Sequence, residues 1–175
     1  NSSQNEPVLT KLSNGGFVAS WNSYGQDGSN YAVQAQMYDR WGNTVGSEFQ
    51  VNTHTASDQS APSITSLNDG GFVVVFHSNG SSADGNLYGV YGQRYDASGS
   101  TVGSEFLLNT FKSGYQTYPS VTSLSDGGFV ATWHSQNQDG GGGGSWAFGV
   151  YGQRYDASGN AVGGEFQVHT YTPGD

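Results

Sequence analysis

The sequence predicts an all-β protein made of three four-stranded antiparallel repeats, each the size of a β-propeller blade. Three observations carry this. The motif Asp/Asn-Gly-Gly-Phe-Val occurs at Asn14 to Val18, Asp69 to Val73 and Asp126 to Val130, at spacings of 55 and 57 residues. Each copy then runs through a Gln-x-Tyr-Asp segment (Gln36 to Asp39, Gln93 to Asp96, Gln153 to Asp156) to Val-Gly-x-Glu-Phe (Val45 to Phe49, Val102 to Phe106, Val162 to Phe166). No segment keeps a helical period over three turns.

The second copy shows how each element arises. Ser63 to Leu67 alternates polar and apolar, the period of a half-buried strand. Asn68 to Gly71 supplies residues tolerant of positive φ, so a tight turn follows. Phe72 to Phe76 is a short apolar, β-branched run, the pattern of a strand covered on both faces. A polar loop, His77 to Asn86, leads to a third strand at Tyr88 to Tyr95. Asp96 to Gly99 turns the chain again, and Glu105 to Thr110 makes the fourth strand. The other copies read alike, giving one repeat domain over residues 1–175 with copies at 4–58, 59–115 and 116–175. Phe17, Phe72 and Phe129 are expected in equivalent buried positions.

Each copy begins near a proline (Pro7, Pro62, Pro119), and the chain end at Asp175 falls at the phase of Asp58. The end thus runs in repeat phase into Gln4 to Pro7. Propeller rings need roughly 4–8 blades, so blades require a second chain, most simply two chains making six blades, or further copies. The alternative is three-fold self-closure as a β-prism or β-trefoil. A homo-oligomer or self-associating chain is therefore expected.

Composition narrows the function. Charged residues are only 11% of the chain, but 11 Tyr, 9 Phe and 4 Trp can bury enough area to fold it. With net charge -9 and five Lys plus Arg, neither nucleic acid nor an anionic membrane surface is an expected partner. No apolar run approaches the ~20 residues of a membrane span. Without cysteine there is no disulfide scaffold, thiolate metal site or thiol nucleophile. The chain starts at Asn1 without an initiator Met or signal peptide, as expected of a processed form, an excised fragment or the ordered part of something longer. The low charge and abundant Gly, Ser, Asn, Gln and Tyr point to a secreted or cell-surface protein.

The motif series, strongest at Asp126 to Trp133, Gln138 to Gly140 and Gly149 to Gln167, resembles a tandem repeat of large bacterial secreted and surface proteins. Many of those also carry RTX-type calcium-binding tracts. The first copy departs from the pattern at Ala32 to Ala35 and Met37 to Trp41. The resemblance implies export and an adhesive or structural role, and it assigns no catalytic residue. In architecture alone the chain is similar to oligomeric β-propeller lectins.

The loops after Trp21, Phe76 and Trp133 hold the candidate ligand-binding residues. These are Tyr24, Gln26, Asp27, Asn30 and Tyr31, then Asp84, Asn86 and Tyr88, then Gln138, Asp139, Trp146 and Phe148. Glycan sites combine an aromatic platform for sugar C–H faces with planar amides and carboxylates for hydroxyls. The competing reading is Asp-Gly turn chemistry beside core aromatics. Trp146, after five glycines, is an unusual place for a core residue. Asp27, Asp84 and Asp139 are also candidate calcium ligands, although one carboxylate per loop makes a weak site. No other cofactor is expected.

Asp39, Asp96 and Asp156 precede turn glycines and are expected to bond the backbone. Arg94 and Arg154 are expected to pair with Asp96 and Asp156 or with Glu105 and Glu165. His77 and His134 occupy equivalent positions, as polar rim residues. Glu48, Glu105 and Glu165 recur once per copy, whereas a glycosidase needs a uniquely placed carboxylate pair. These features give a non-enzymatic glycan-binding or adhesive protein whose equivalent weak sites act by avidity. The alternative is a structural subunit of an extracellular fibre or matrix. A lyase using Tyr and His as base is set aside because no non-repeated polar cluster is evident.

Overall fold

The computed structural model of the chain describes residues 3–80, 88–139 and 147–170. Three separate four-stranded antiparallel sheets run in chain order. The first holds β1 (Gln4–Lys11), β2 (Phe17–Tyr24), β3 (Tyr31–Tyr38) and β4 (Thr44–Gln50). The second holds β5 (Gln59–Ser66), β6 (Phe72–Asn79), β7 (Tyr88–Tyr95) and β8 (Thr101–Leu107). The third holds β9 (Gln116–Ser123), β10 (Phe129–Gln136), β11 (Phe148–Tyr155) and β12 (Ala161–Gln167). Each is a propeller-like blade.

The repeated residues account for the repeated geometry. Asn14, Asp69 and Asp126 each accept, through Oδ1, the backbone N–H two residues on, at 2.9–3.0 Å. The first glycine of each pair sits at φ near +90°. The second has no room for a side chain, because a Cβ at Gly16, Gly71 or Gly128 would overlap the carbonyl oxygen of Tyr38, Tyr95 or Tyr155. The glutamines of the Gln-x-Tyr-Asp segments are buried clamps. Gln93 Nε2 donates to the carbonyls of Arg94 (2.9 Å) and Gly103 (3.3 Å), satisfying a bulge that would otherwise bury unpaired acceptors. Gln36 and Gln153 do the same in their blades. Asp39, Asp96 and Asp156 accept backbone N–H groups two and four residues on, as expected of turn residues.

Three strands differ from the sequence reading. β6 runs on from Phe76 to Asn79, taking His77 out of the expected loop, because His77, Ser78 and Asn79 stay paired with Val90, Gly89 and Tyr88. β5 begins at Gln59, before Ser63, because a bulge between Ser60 and Ser63 breaks the alternation that marks a strand. β8 begins at Thr101 because pairing resumes directly after the Gly99 turn and skips around Gly103, whose φ is +72°.

Successive blades pack face to face. Val18, Val33 and Met37 of the first blade meet Phe72, Phe76 and Tyr91 of the second. Val73, Val75 and Val90 of the second meet Phe129, Trp133 and Tyr151 of the third. Phe72 and Phe129 stack on Tyr95 and Tyr155 at 4.8 Å and are fully buried. Phe17 stacks likewise on Tyr38 but is only half-buried, because no other blade among the described residues covers that face of the first blade. Three-fold self-closure as a β-prism or β-trefoil is therefore not the architecture: Leu9 stays 70% exposed and Val168 48%.

The arginine pairing also differs. Arg94 reaches Asp69 at 3.4 Å and the carbonyl of Ala157 in the next blade at 2.8 Å, and Arg154 pairs with Asp126. The carboxylate that receives each arginine lies on the Gly-Gly turn that opens the adjacent strand, β6 or β10, and that turn abuts the end of β7 or β11.

Candidate functional site

β1, β5 and β9 each carry a proline preceded by a residue in the left-handed region: Glu6 (φ 52°), Ala61 (φ 51°) and Tyr118 (φ 52°). This conformation is costly for a residue with a Cβ and is held only where its surroundings enforce it. Each such residue sits at the strand bulge. At Tyr118 the ring stands in a cleft between the second and third blades and is 62% exposed.

The cleft has a volume of about 320 Å³ and is lined by His77, Tyr88, Tyr115, Thr117, Tyr118 and Phe148. Its rings form a continuous row. Tyr88 contacts Tyr115 (centroids 5.0 Å apart) and His77 (5.9 Å); His77 contacts Tyr118 (5.6 Å). Tyr118 then contacts His134 (5.8 Å), and His134 contacts Phe148 (6.3 Å).

His77 organises the row. The N–H of Tyr118 donates to its Nδ1 at 3.4 Å, which leaves Nε2 to carry the proton and donate to Ser60 Oγ at 2.9 Å. Burial lowers its pKa from 6.5 to about 4, against the opposing pull of Glu6 and Asp58, so the imidazole is neutral at pH 7. Burial likewise raises the pKa of the Tyr88 phenol, whose oxygen accepts from Asn79 Nδ2 at 3.2 Å. Among the described residues the cleft thus offers ring faces and hydroxyls and is lined by no Lys or Arg.

The corresponding junction between the first and second blades has other chemistry. Asn22 stands where His77 does and donates to Asn5 Oδ1 (2.9 Å) and Glu6 Oε2 (3.0 Å). Asn5 in turn donates to the Tyr31 hydroxyl at 3.4 Å. These bonds lie within the first blade, and Asn22 Oδ1 is buried without a hydrogen-bond partner among the described residues.

Of the residues singled out in the sequence, Tyr88 and Phe148 meet in the aromatic cleft. Tyr24 and Tyr31 form an edge-to-face pair at 5.2 Å on the first blade, and Asn30 closes the adjoining turn through its carbonyl. Gln26 and Gln138 donate to Glu48 and Glu165, tying each loop to the fourth strand. Asp27 Oδ1 accepts the Ser29 N–H at 3.0 Å, and Asp139 faces His169 at 3.4 Å. Among the described residues no three His, Cys, Asp or Glu side chains gather. Asp84, Asn86 and Trp146 lie outside the described residues. The sequence reading missed Ser60, Tyr115, Thr117 and Tyr118. The available signal was Tyr118 beside Pro119, which had served only as a phase marker.

No protein-family model and no curated protein matches the chain. Solved structures do. An endo-arabinase from Bacteroides thetaiotaomicron VPI-5482 superposes with a TM-score of 0.53 at 15% identity, over 84% of this chain and 55% of that one. An endo-1,4-beta-xylanase from the same organism gives 0.55 at 11% identity, over 95% of this chain and 59% of that one. The chain therefore spans little more than half the length of either. These likenesses correct the expectation that the chain is not an enzyme, since two enzymes share its fold. The ground for that expectation also fails, because Ser60, His77, Tyr115 and Tyr118 form a polar cluster that the first junction does not repeat. What the chain shares with these structures is the all-β fold.

Proposed function

We propose that this is a glycan-binding protein, secreted or displayed at the cell surface, and that the cleft between the second and third blades is its principal sugar site. One observation carries the reading: the unbroken row Tyr88, His77, Tyr118, His134 and Phe148, with hydroxyls along its edge. Ring faces take the C–H side of a pyranose or furanose, while Tyr and Thr hydroxyls exchange hydrogen bonds with its OH groups. The neutral imidazole suits an uncharged ligand. The two enzymes that share the fold make arabinan and xylan oligosaccharides the first probes.

Isothermal titration with arabino- and xylo-oligosaccharides, followed by a glycan array, tests the proposal. Binding that weakens at least tenfold in Tyr118→Ala, with the circular dichroism spectrum kept, is the expected result. Equal affinity in that variant, or no binding on the array at high protein density, would overturn it. Chromatography of the titrated oligosaccharides reads in the same experiment whether the sugar leaves intact.

A further inference from the structure

We infer that a second copy of this chain packs head to tail on the first, so that the open face of the first blade and that of the third cover one another twice and two copies close a six-bladed ring.

The two internal blade junctions define what such a contact looks like, and the chain carries both halves of a third. Ile64 and Val121 are buried by the preceding blade, whereas Leu9, at their position in β1, is 70% exposed. Phe72 and Phe129 are fully covered; Phe17 is not. The opposite end is complementary. Val51 and Leu108 are buried by the following blade, whereas Val168 is 48% exposed. Phe49 and Phe106 lie on Tyr95 and Tyr155 of the next blade, at 5.2 and 5.5 Å, while Phe166 has no next blade and is 43% exposed.

The directed bonds repeat in the same way. The N–H of Ser66 donates to Thr10 Oγ1, and that of Ser123 to Thr65 Oγ1, each at 3.2 Å. Thr122 is the next acceptor of this series, and Lys11 the next donor. Glu105 Oε2 accepts the Thr53 N–H of the preceding blade at 2.8 Å, and Glu165 Oε2 that of Thr110 at 2.7 Å. Thr170 and Glu48 complete that series. Both ties run from the third blade of one copy to the first blade of another, with no new chemistry needed. Such a heterologous contact gives a ring where the rotation closes and a filament where it does not. Three blades fall below the roughly 4–8 of known rings, and six fall within it.

Native mass spectrometry and sedimentation of the 175-residue chain are the tests. The expected species has twice the 18.4 kDa chain mass. A monomer at tens of micromolar, or an open ladder of longer assemblies, would overturn the two-copy ring. Leu9→Glu alters a side chain already in solvent, so the fold is not at stake. It should raise the dimer dissociation constant at least tenfold with an unchanged circular dichroism spectrum, and an unaltered dimer would count against this face. The chain has no cysteine, so register can be read directly. Copies bearing Lys11→Cys mixed with copies bearing Thr122→Cys should form a mixed intermolecular disulfide, and its absence would reject the head-to-tail pairing. None of these outcomes depends on sugar binding.

Discussion

Tyr118, in β9 of the third blade, donates its backbone N–H to Nδ1 of His77 in the second, at 3.4 Å. The bond sets the imidazole tautomer and ties a left-handed residue to the neighbouring blade. An exposed aromatic side chain is thereby held at a fixed angle over the cleft.

The first prediction concerns acid stability. The folded pKa of His77 (about 4) lies below its ordinary 6.5, so the unfolded chain binds more protons between those values. Stability is then fully present above pH 6.5 and lost as pH falls through 4. The span corresponds to roughly 3 kcal/mol. Urea titrations from pH 7 to pH 4 should show this loss, and His77→Gln should flatten most of it. An equal slope in that variant would place the acid sensitivity elsewhere.

The glutamine clamp predicts a cost out of proportion to the atoms removed. Gln93→Ala strips a buried donor from the carbonyls of Arg94 and Gly103. Leaving these acceptors unpaired should cost about 1–3 kcal/mol in chemical denaturation. A loss below 0.5 kcal/mol, taken as a rough threshold for surface changes, would mean that the bulge carbonyls find other partners.

Two glycines should respond differently to the same substitution. At Gly71 an added Cβ collides with the Tyr95 carbonyl oxygen, so Gly71→Ala should cost about 1–3 kcal/mol or more. At Gly103 the Cβ meets open space and only the left-handed φ of +72° opposes it, at about 1 kcal/mol. Thermal melts of the pair would show the order, and a reversal would contradict the turn geometry.

The two arginines separate internal from end-face packing. The Arg94 side chain is 9% exposed and spans two blades, so Arg94→Ala should cost about 2 kcal/mol. The Arg154–Asp126 pair lies on the uncovered face, and in the single chain Arg154→Ala should fall within about 0.5 kcal/mol. Denaturation at low protein concentration compares them. If two copies close a ring, the gap should narrow as concentration rises.

The repeat motifs made the blades legible because each does a local, backbone-directed job. Asp69 and Gly71 make a turn, Gln93 clamps a bulge and Asp96 closes a hairpin, and the third strand of the second copy lies where its residues place it. The site was less legible because it is assembled across blades. Tyr115, Tyr118 and His77 are far apart in sequence, and only the packing of β9 against the second blade joins them. Tyr88 and Phe148 were visible because they open third strands after the polar loops. The partner of Arg94 is Asp69 and neither Asp96 nor Glu105, the carboxylates expected from the sequence, because β6 carries the Asp69 turn to the end of β7.

The residue before the proline of β1, β5 and β9 differs in all three copies, as Glu6, Ala61 and Tyr118, while its backbone conformation does not. The framework fixes the backbone there while the side chain differs from copy to copy: Glu6 Oε2 accepts from Asn22 at 3.0 Å within the first blade, whereas Tyr118 lines the cleft between the second and third. Under the proposed sugar-binding reading, exchanging this one residue in the third blade changes what the cleft presents while the strand bulge that carries it stays as it is.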